Sequence, residues 1–323
     1  MGTNRRRQQS GNKIVWIVLG IVGGVFALIL LTCAGGIFLV KRAATQIIGS
    51  SEQARAGLEH RDEDYAEARK GFQTRLMQRG PAPQQADPIG RPPNGAEEVQ
   101  YTSGNLKLKA WVSSAKAGAG SKLPAVLFLH GGFAFGEDDW EMAQPFRDAG
   151  FAVMVPMLRG ENGQPGEFSC FYNEVDDALA AVEVLAKRQN VDGNRLYVAG
   201  HSAGGTLTLL AALSSKRFRA AASFSGSPDQ VVFTRFQDEL VVFDRNDPRE
   251  FRLRSPVAYA GSFKCPTRLY YGTAEIGFEP SSQRTAMLAK GKGLDVEAMS
   301  VPGDHQTSVP AAIRQAIAFF RQH

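Results

Sequence analysis

The pentapeptide Gly200-His201-Ser202-Ala203-Gly204 is the segment whose residue types point most directly to chemistry. A serine at a sharp turn from a strand into a helix has its hydroxyl exposed as a nucleophile. The run Arg195–Ala199 has strand character, and the small, apolar run Gly205–Leu213 has helical spacing. The glycines beside the serine allow strand and helix backbones to pack closely. Because a chain with 34 glycines contains such motifs by chance, the prediction depends on a base and an acid elsewhere.

The positions of the five histidines leave one candidate for the general base. His60 lies in the N-terminal region, and His323 is the last residue. His201 lies inside the pentapeptide, where packing is its expected role, and His130 ends an apolar strand. His305 stands in a short loop between the last predicted strand and the last predicted helix. That loop is where a base reaches such a serine.

The acid is expected after the strand Thr267–Tyr271, in the turn Gly272-Thr273-Ala274-Glu275. A carboxylate there accepts the imidazole Nδ1–H, fixes the tautomer and stabilises the imidazolium formed during attack. Glu279, one turn further on, is the alternative acid. Asp304 is poorly placed, because it is adjacent to the base in sequence.

An acyl-transfer site also needs two N–H donors for the oxyanion. The Ala203 N–H, directly after the serine, is one candidate, and the segment His130-Gly131-Gly132 supplies the other. Phe133 follows this segment, and Phe233 and Phe236 lie in the insertion Val231–Arg254. These aromatic residues are candidates for lining the acyl site, and ordinary core packing is an equally good interpretation of the last two.

The elements that must position these residues alternate from about Glu97 onward in the manner of a doubly wound sheet. The predicted strands are Val99–Tyr101, Leu106–Val112, Ala125–Leu129, Phe151–Pro156, Arg195–Ala199, Ala220–Phe224, Thr267–Tyr271 and Val296–Val301. The predicted helices are Asp139–Asp148, Tyr172–Arg188, Gly205–Leu213, Ser281–Ala289 and Ala311–Arg321. This pattern predicts an α/β-hydrolase fold with a mostly parallel, eight-stranded sheet over residues 97–323.

The motifs together resemble the catalytic domain of the prolyl oligopeptidase family, which includes dipeptidyl and acylaminoacyl peptidases. The stretches that carry the resemblance are His130-Gly131-Gly132-Phe133, Asp176-Asp177-Ala178, Val191-Asp192-Gly193-Asn194-Arg195, Ser255-Pro256-Val257, Cys265-Pro266 and Gly272-Thr273-Ala274-Glu275. The resemblance implies that the Gly132 N–H is the second oxyanion donor. The sequence departs from the family pattern in three ways. Glu275 stands in place of the usual aspartate, and Gln306 rather than glycine follows the base. The N-terminal region is too short for a β-propeller.

Composition excludes several classes of function. The chain has 323 residues, 43% of them hydrophobic, and a formal net charge of +5. Arg5, Arg6, Arg7 and Lys13 supply four of these charges, so the remainder lacks the basic face that nucleic-acid binding requires. Cys33, Cys170 and Cys265 lack metal-ligand spacing, and the last two are expected to be separate buried thiols. No metal and no cofactor are expected.

The segment Ile14–Val40 carries no charged residue and predicts a membrane helix over residues 14–40. Residues 1–13 form a basic tail, and the positive-inside rule predicts a cytoplasmic N-terminus with an extracytoplasmic catalytic domain. Two alternatives remain open, a signal peptide cleaved near Thr32-Cys33-Ala34 and a lipoprotein signal at Leu30–Cys33. Gly20-x-x-x-Gly24 could allow two such helices to form a weak homodimer.

Residues 41–96 are predicted to be a stalk and a linker. Ser51–Arg79 is charged and helix-prone, with a sparse apolar stripe at Leu58, Tyr65, Phe72 and Leu76. Docking of this helix on the domain and full solvation remain alternatives. The prolines from Pro81 to Pro93 predict an extended linker.

The sequence therefore predicts a membrane-anchored serine hydrolase that forms an acyl-enzyme through Ser202, His305 and Glu275. Its partners would be the lipid bilayer and a small ester or peptide substrate. Two alternatives are an acyltransferase that uses the same residues and a non-catalytic binding module that keeps the hydrolase shape.

Overall fold

The computed structural model describes residues 60–84, 88–114 and 121–323. Residues 1–59, with the predicted basic tail, the predicted membrane helix and Cys33, lie outside the described part. Of the residues described, no helix is long and apolar enough to cross a bilayer. The membrane anchor and its orientation therefore stay predictions.

Eight strands of the described residues form one sheet in the order β1-β2-β4-β3-β5-β6-β7-β8, which confirms the predicted α/β-hydrolase fold. The strands are β1 Ala96–Ser103, β2 Leu106–Ser113, β3 Leu123–Leu129, β4 Ala152–Pro156, β5 Val191–His201, β6 Ala220–Phe224, β7 Thr267–Gly272 and β8 Val296–Val301. The hairpin β1–β2 turns at Gly104, where φ is +58°. Strand β2 also pairs antiparallel with β4, and the remaining neighbours are parallel.

Helices cover both faces of this sheet. They are α1 Tyr65–Lys70, α2 Glu137–Met142, α3 Gln144–Asp148, α4 Glu174–Ala186, α5 Ala203–Ser214, α6 Gln230–Phe233, α7 Pro248–Arg252, α8 Phe278–Lys290 and α9 Val309–Gln322. Short 3-10 turns occupy Thr234–Phe236, Asp238–Leu240 and Pro256–Ser262. The predicted helix Asp139–Asp148 is two helices that meet at Ala143, because Pro145 begins a new turn.

The alternation of side chains along β3 divides the core into two layers. Ala125, Leu127 and Leu129 pack with residues of α4 and α5 on one face. Val126 and Phe128 pack on the other face with residues of α3 and α9. A parallel sheet that is covered on both faces needs strands that are apolar throughout. For this reason the central strands appear in the sequence as apolar runs.

The turn from β5 into α5 is the closest backbone approach near the site. Ser202 has φ +55° and ψ −116°, outside the usual regions for a residue with a side chain. A Cβ at position 204 would lie 2.0 Å from the Leu129 carbonyl oxygen, and one at position 200 would lie 2.5 Å from the Gly204 oxygen. Only glycine fits at positions 200 and 204.

The region predicted as a stalk packs on the domain, and it forms only one short helix in its described part. Helix α1 begins after Asp64, whose side chain accepts from two backbone N–H groups, and ends at Gly71. The Tyr65 side chain is fully buried, and its hydroxyl donates to the Leu253 carbonyl at 2.9 Å. The predicted helix Ser51–Arg79 is therefore wrong for residues 60–64 and 71–79, whereas docking, one of the two alternatives, is observed.

Residues 72–84 form no helix and contain bends and a turn, and we call them the strap. Backbone bonds fix the strap along its length. The Met77 and Gln78 N–H groups donate to the Val242 carbonyl at 2.7 and 3.0 Å. Further along, the Ala82 N–H donates to the Gly160 carbonyl at 3.0 Å, and the Phe168 N–H donates to the Gly80 carbonyl at 3.0 Å.

Candidate active site

Ser202, His305 and Glu275 lie in one hydrogen-bonded row. The distance from His305 Nε2 to Ser202 Oγ is 3.0 Å, and the distance from His305 Nδ1 to Glu275 Oε1 is 2.6 Å. The serine lies at the turn between β5 and α5, the histidine follows β8, and the glutamate follows β7. The sheet brings them together because the carboxyl ends of parallel strands meet at one edge.

Glu275 is built to remain ionised. Its side chain is 3% exposed, and Oε2 accepts hydrogen bonds from the Ser225 hydroxyl at 2.7 Å and from the Gly272 N–H. Burial raises the pKa of this carboxyl, but the hydrogen bonds from His305, Gly272 and Ser225 outweigh it and lower the pKa below its usual value. An ionised carboxylate keeps the proton on His305 Nδ1, so Nε2 is free to accept from the serine.

His201 supports the loop that carries the base. Its Nε2–H donates to the His305 carbonyl oxygen at 2.8 Å. Burial lowers the pKa of His201 and outweighs the hydrogen bond to the His305 carbonyl, which raises it. The ring is therefore expected to be a neutral donor. The sequence predicted only a packing role here, and the backbone bond between the two histidine positions was missed.

Glu279, the alternative acid, and Asp304, which the sequence placed poorly, both lie away from the Nδ1 side of the His305 ring. Glu279 is exposed in the first turn of α8, where Oε1 is 3.5 Å from the Tyr271 hydroxyl. Asp304 is exposed and accepts from the backbone N–H groups of Gln306 and Thr307. Glu275 is thus the carboxylate that contacts the His305 ring.

The segment His130–Gly136, here called the oxyanion loop, follows β3 beside the serine. A Cβ at position 131 would lie 3.8 Å from Ser202 Cβ. Asp139 accepts from the N–H groups of Gly131 at 3.1 Å and Gly136 at 2.9 Å. The Asn162 side chain bonds both backbone groups of Phe135, at 2.8 and 3.0 Å.

The expected oxyanion donors are Ala203, directly after the serine, and Gly132, the neighbour of Gly131, which approaches Ser202. Gly132 has φ +62°, a conformation that glycine adopts without strain. Ala203 is the first residue of α5, and N–H groups in the first turn of a helix have no partner within the helix. Both N–H groups remain the candidates for binding the oxyanion that forms on the substrate carbonyl oxygen.

An aromatic row extends from the oxyanion loop. The Phe133 ring packs against Phe168 and Phe171, with centroid distances of 5.0 and 5.6 Å, and Phe171 packs against Phe233 at 5.9 Å. The structure thus brings two of the three predicted lining residues into one row. The Phe236 side chain lies outside the described part.

The turn that carries Phe171 is strained. Cys170 and Phe171 have φ +53° and +69°, and residues with side chains adopt such angles at a cost of about 1–3 kcal/mol each. Glu174 accepts from the N–H groups of Ser169 and Tyr172. The buried Arg254 donates to the Ser169 and Cys170 carbonyls, at 2.9 and 2.8 Å.

Cys170 and Cys265 are free, buried thiols, as the sequence predicted.

The fold and the serine at its strand–helix turn define a hydrolase of the serine peptidase and esterase type. The chain belongs to the prolyl oligopeptidase family, whose model matches residues 138–320, more than half of the sequence. The resemblance inferred from the motifs is confirmed.

Two curated relatives come from Bacillus subtilis. The chain is 29% identical over 197 residues to the uncharacterized peptidase YuxL, a match that covers 54% of this chain and 30% of that protein. It is 25% identical over 188 residues to the uncharacterized peptidase YtmA, covering 54% of this chain and 71% of that protein. The chain thus spans less than a third of the first relative.

Solved structures show the same fold. A puromycin-hydrolyzing peptidase of Mycobacterium tuberculosis superposes with a TM-score of 0.60 and 23% identity, over 72% of this chain and 41% of that one. An esterase of Pyrobaculum calidifontis superposes with a TM-score of 0.56 and 18% identity, over 72% and 85% of the two chains.

A buried ion pair at the base of the oxyanion loop predicts a pH-dependent stability. His130 Nε2 lies 2.9 Å from Glu161 Oε2, and both side chains are buried. Burial lowers the pKa of His130, but the charge and hydrogen bond of Glu161, aided by Asp139 and the Gly131 carbonyl, raise it to about 9. In the unfolded chain a histidine titrates at about 6.5. The stabilisation is therefore complete below about pH 6.5 and is lost as the pH rises through about 9.

Urea unfolding between pH 6 and pH 9.5 tests this, with Glu161→Gln as the comparison. The wild type should lose stability across this window more steeply than the variant, which lacks the charge that raises the His130 pKa. Parallel pH profiles for the two proteins would contradict the prediction.

Proposed function

We propose that this protein cleaves ester or amide bonds through an acyl-enzyme on Ser202. The observation that carries the proposal is the row from Ser202 Oγ through the His305 ring to Glu275, with contacts of 3.0 and 2.6 Å. Nucleophile, base and orienting acid within hydrogen-bond reach are the signature of an activated serine.

In the first half of the reaction, Ser202 Oγ attacks the substrate carbonyl carbon while its proton moves to His305 Nε2. Collapse of the tetrahedral intermediate transfers that proton to the leaving alcohol or amine. In the second half, a water molecule attacks the acyl-enzyme, again losing its proton to Nε2, and Ser202 recovers the proton when the acid product leaves. The His305 side chain is 36% exposed, which gives water access to it.

Glu275 orients His305 and balances the charge of the imidazolium. The Ala203 and Gly132 N–H groups would hold the oxyanion of the tetrahedral intermediate. Ester and amide substrates pass through the same intermediate, so the proposal covers both bond types.

The aromatic row supports an apolar acyl group as the preferred substrate. Phe133 is buried against Phe168 and Phe171, and Phe233 is only partly buried at the far end. A partly buried aromatic side chain can pack on an incoming apolar group. We therefore propose a small ester or peptide with an apolar acyl side.

We also propose that the full chain is anchored in a membrane by residues 14–40. The support is the sequence, in which 27 successive residues carry no charge, enough for about 40 Å of helix against about 30 Å of hydrocarbon. Arg5, Arg6, Arg7 and Lys13 favour a cytoplasmic N-terminus.

A fluorophosphonate probe tests the nucleophile. The wild type should be labelled at one site, and Ser202→Ala should lose the label, because the probe reacts only with an activated serine hydroxyl. Ser214→Ala, which removes a hydroxyl bonded to the Leu210 carbonyl, is the matched control and should label like wild type. An unlabelled wild type would refute the proposed function.

Glu275→Gln should lower kcat by about 10⁴-fold, because the amide favours the wrong imidazole tautomer. The matched variant Glu279→Gln should retain activity within about twofold, since its carboxylate is exposed on α8. Steady-state hydrolysis of a nitrophenyl ester measures both variants, with thermal unfolding as the check on folding. Full activity in the first variant would mean that His305 is oriented by another group.

Membrane fractionation tests the anchor. The full chain should stay in the membrane pellet after a carbonate wash, because a spanning helix is not released by high pH. A chain that lacks Met1–Val40 should remain in the supernatant with the same turnover per labelled serine. Full-length protein in the washed supernatant would disprove anchoring.

A further inference from the structure

Gln84, at the end of the strap, contacts the oxyanion loop through its side chain. Its Oε1 accepts a hydrogen bond from the Phe133 N–H at 2.9 Å. A Cβ at position 132 would lie 2.7 Å from the same oxygen. The carboxamide thus lies directly over Gly132, whose neighbour Gly131 approaches Ser202.

The position of Gln84 is set by backbone bonds in the strap. The Ala82 N–H to Gly160 and the Phe168 N–H to Gly80 fix the two turns before it. A Cβ at position 160 would lie 3.2 Å from the Ala82 nitrogen, so the strap and the loop after β4 pack at backbone distance. Gln84 reaches Phe133 from a rigid support, although its side chain is exposed.

Three side chains hold the oxyanion loop, each at different residues. Asp139 holds Gly131 and Gly136, and Asn162 holds Phe135. Gln84 bonds the peptide between Gly132 and Phe133. The Gly132 N–H belongs to the preceding peptide unit, between Gly131 and Gly132. Its orientation is coupled to the Gln84 bond because the two peptide units share the Gly132 Cα.

We propose that Gln84 is a positioning residue for the reaction, acting through the oxyanion loop. By accepting from Phe133, it holds the Gly132 peptide in the orientation that aims the N–H at the reacting carbonyl oxygen. This inference rests on the proposed function. Gln84 thus supports the active site from outside the residues that the family model matches.

The test is Gln84→Leu, which replaces the side chain with an apolar one of similar size and removes the carboxamide oxygen that accepts the hydrogen bond. Because an oxyanion donor acts in the transition state, kcat for p-nitrophenyl butyrate should fall about tenfold while KM stays within about twofold. The inhibition constant of butylboronic acid, which adds to the serine as a tetrahedral anion, should rise by a similar factor. Thermal unfolding should be unchanged, because the side chain is exposed.

Gln78→Leu is the matched control, since Gln78 is also exposed on the strap and is anchored through its backbone N–H. It should leave kcat, KM and boronate inhibition unchanged. An unchanged or increased kcat in Gln84→Leu would overturn the inference, as would a rise confined to KM. Either result would overturn only the role of Gln84. The proposed function would still hold if the wild type is labelled at Ser202 and hydrolyses the ester.

Discussion

The close approach of the β5–α5 turn to the end of β3 is the constraint on which the site depends. A Cβ at position 204 would lie 2.0 Å from the Leu129 oxygen and 2.4 Å from the His130 oxygen. The same contact that excludes side chains there places Ser202 next to the oxyanion loop. The left-handed backbone of Ser202 costs about 1–3 kcal/mol. Helix α5 offsets that cost, because Ala203 to Leu213 are all buried.

The remaining members of the row follow from the parallel order of β5, β6, β7 and β8. Each adjacent strand delivers one loop to the same edge, so residues about 30 and 100 positions apart meet. Ser225, after β6, also contributes, since its hydroxyl bonds Glu275. The ends of four adjacent strands thus contribute to one chain of hydrogen bonds, in which each side chain limits the orientation of its neighbour.

Sequence reasoning predicted the parts of the site that depend on local pattern. The strand–serine–helix turn, the apolar strands and the order of serine, glutamate and histidine are all visible in the printed residues. The contacts of Ser225, His201 and Gln84 were missed, because each is a polar residue whose role depends on a partner 49 or more positions away. The helix over residues 71–79 was predicted wrongly because helix propensity there is overridden by backbone pairing with Val242.

Buried charge explains why the strap stays in place. Arg254 and Glu250 are fully buried, and Glu250 also accepts from the Thr74 hydroxyl and the Arg75 N–H, both at 2.7 Å. A buried ion pair is costly unless its remaining hydrogen-bonding groups are satisfied. Without the strap, the Glu250 carboxylate would lose two donors, and Arg254 would lose Thr74 as an acceptor.

The same arginine supports the strained turn at Cys170 and Phe171, which carries the aromatic row. Removing the strap would therefore disturb the aromatic row as well as the oxyanion loop. The strap thus bonds the oxyanion loop through Gln84 and is linked to the strained turn through Arg254. The reacting groups Ser202, His305 and Glu275 lie inside residues 138–320, whereas the strap and the oxyanion loop lie before it. The nucleophile, the base and the acid therefore come from the family-matched segment, whereas Gln84, which bonds the oxyanion loop, precedes it.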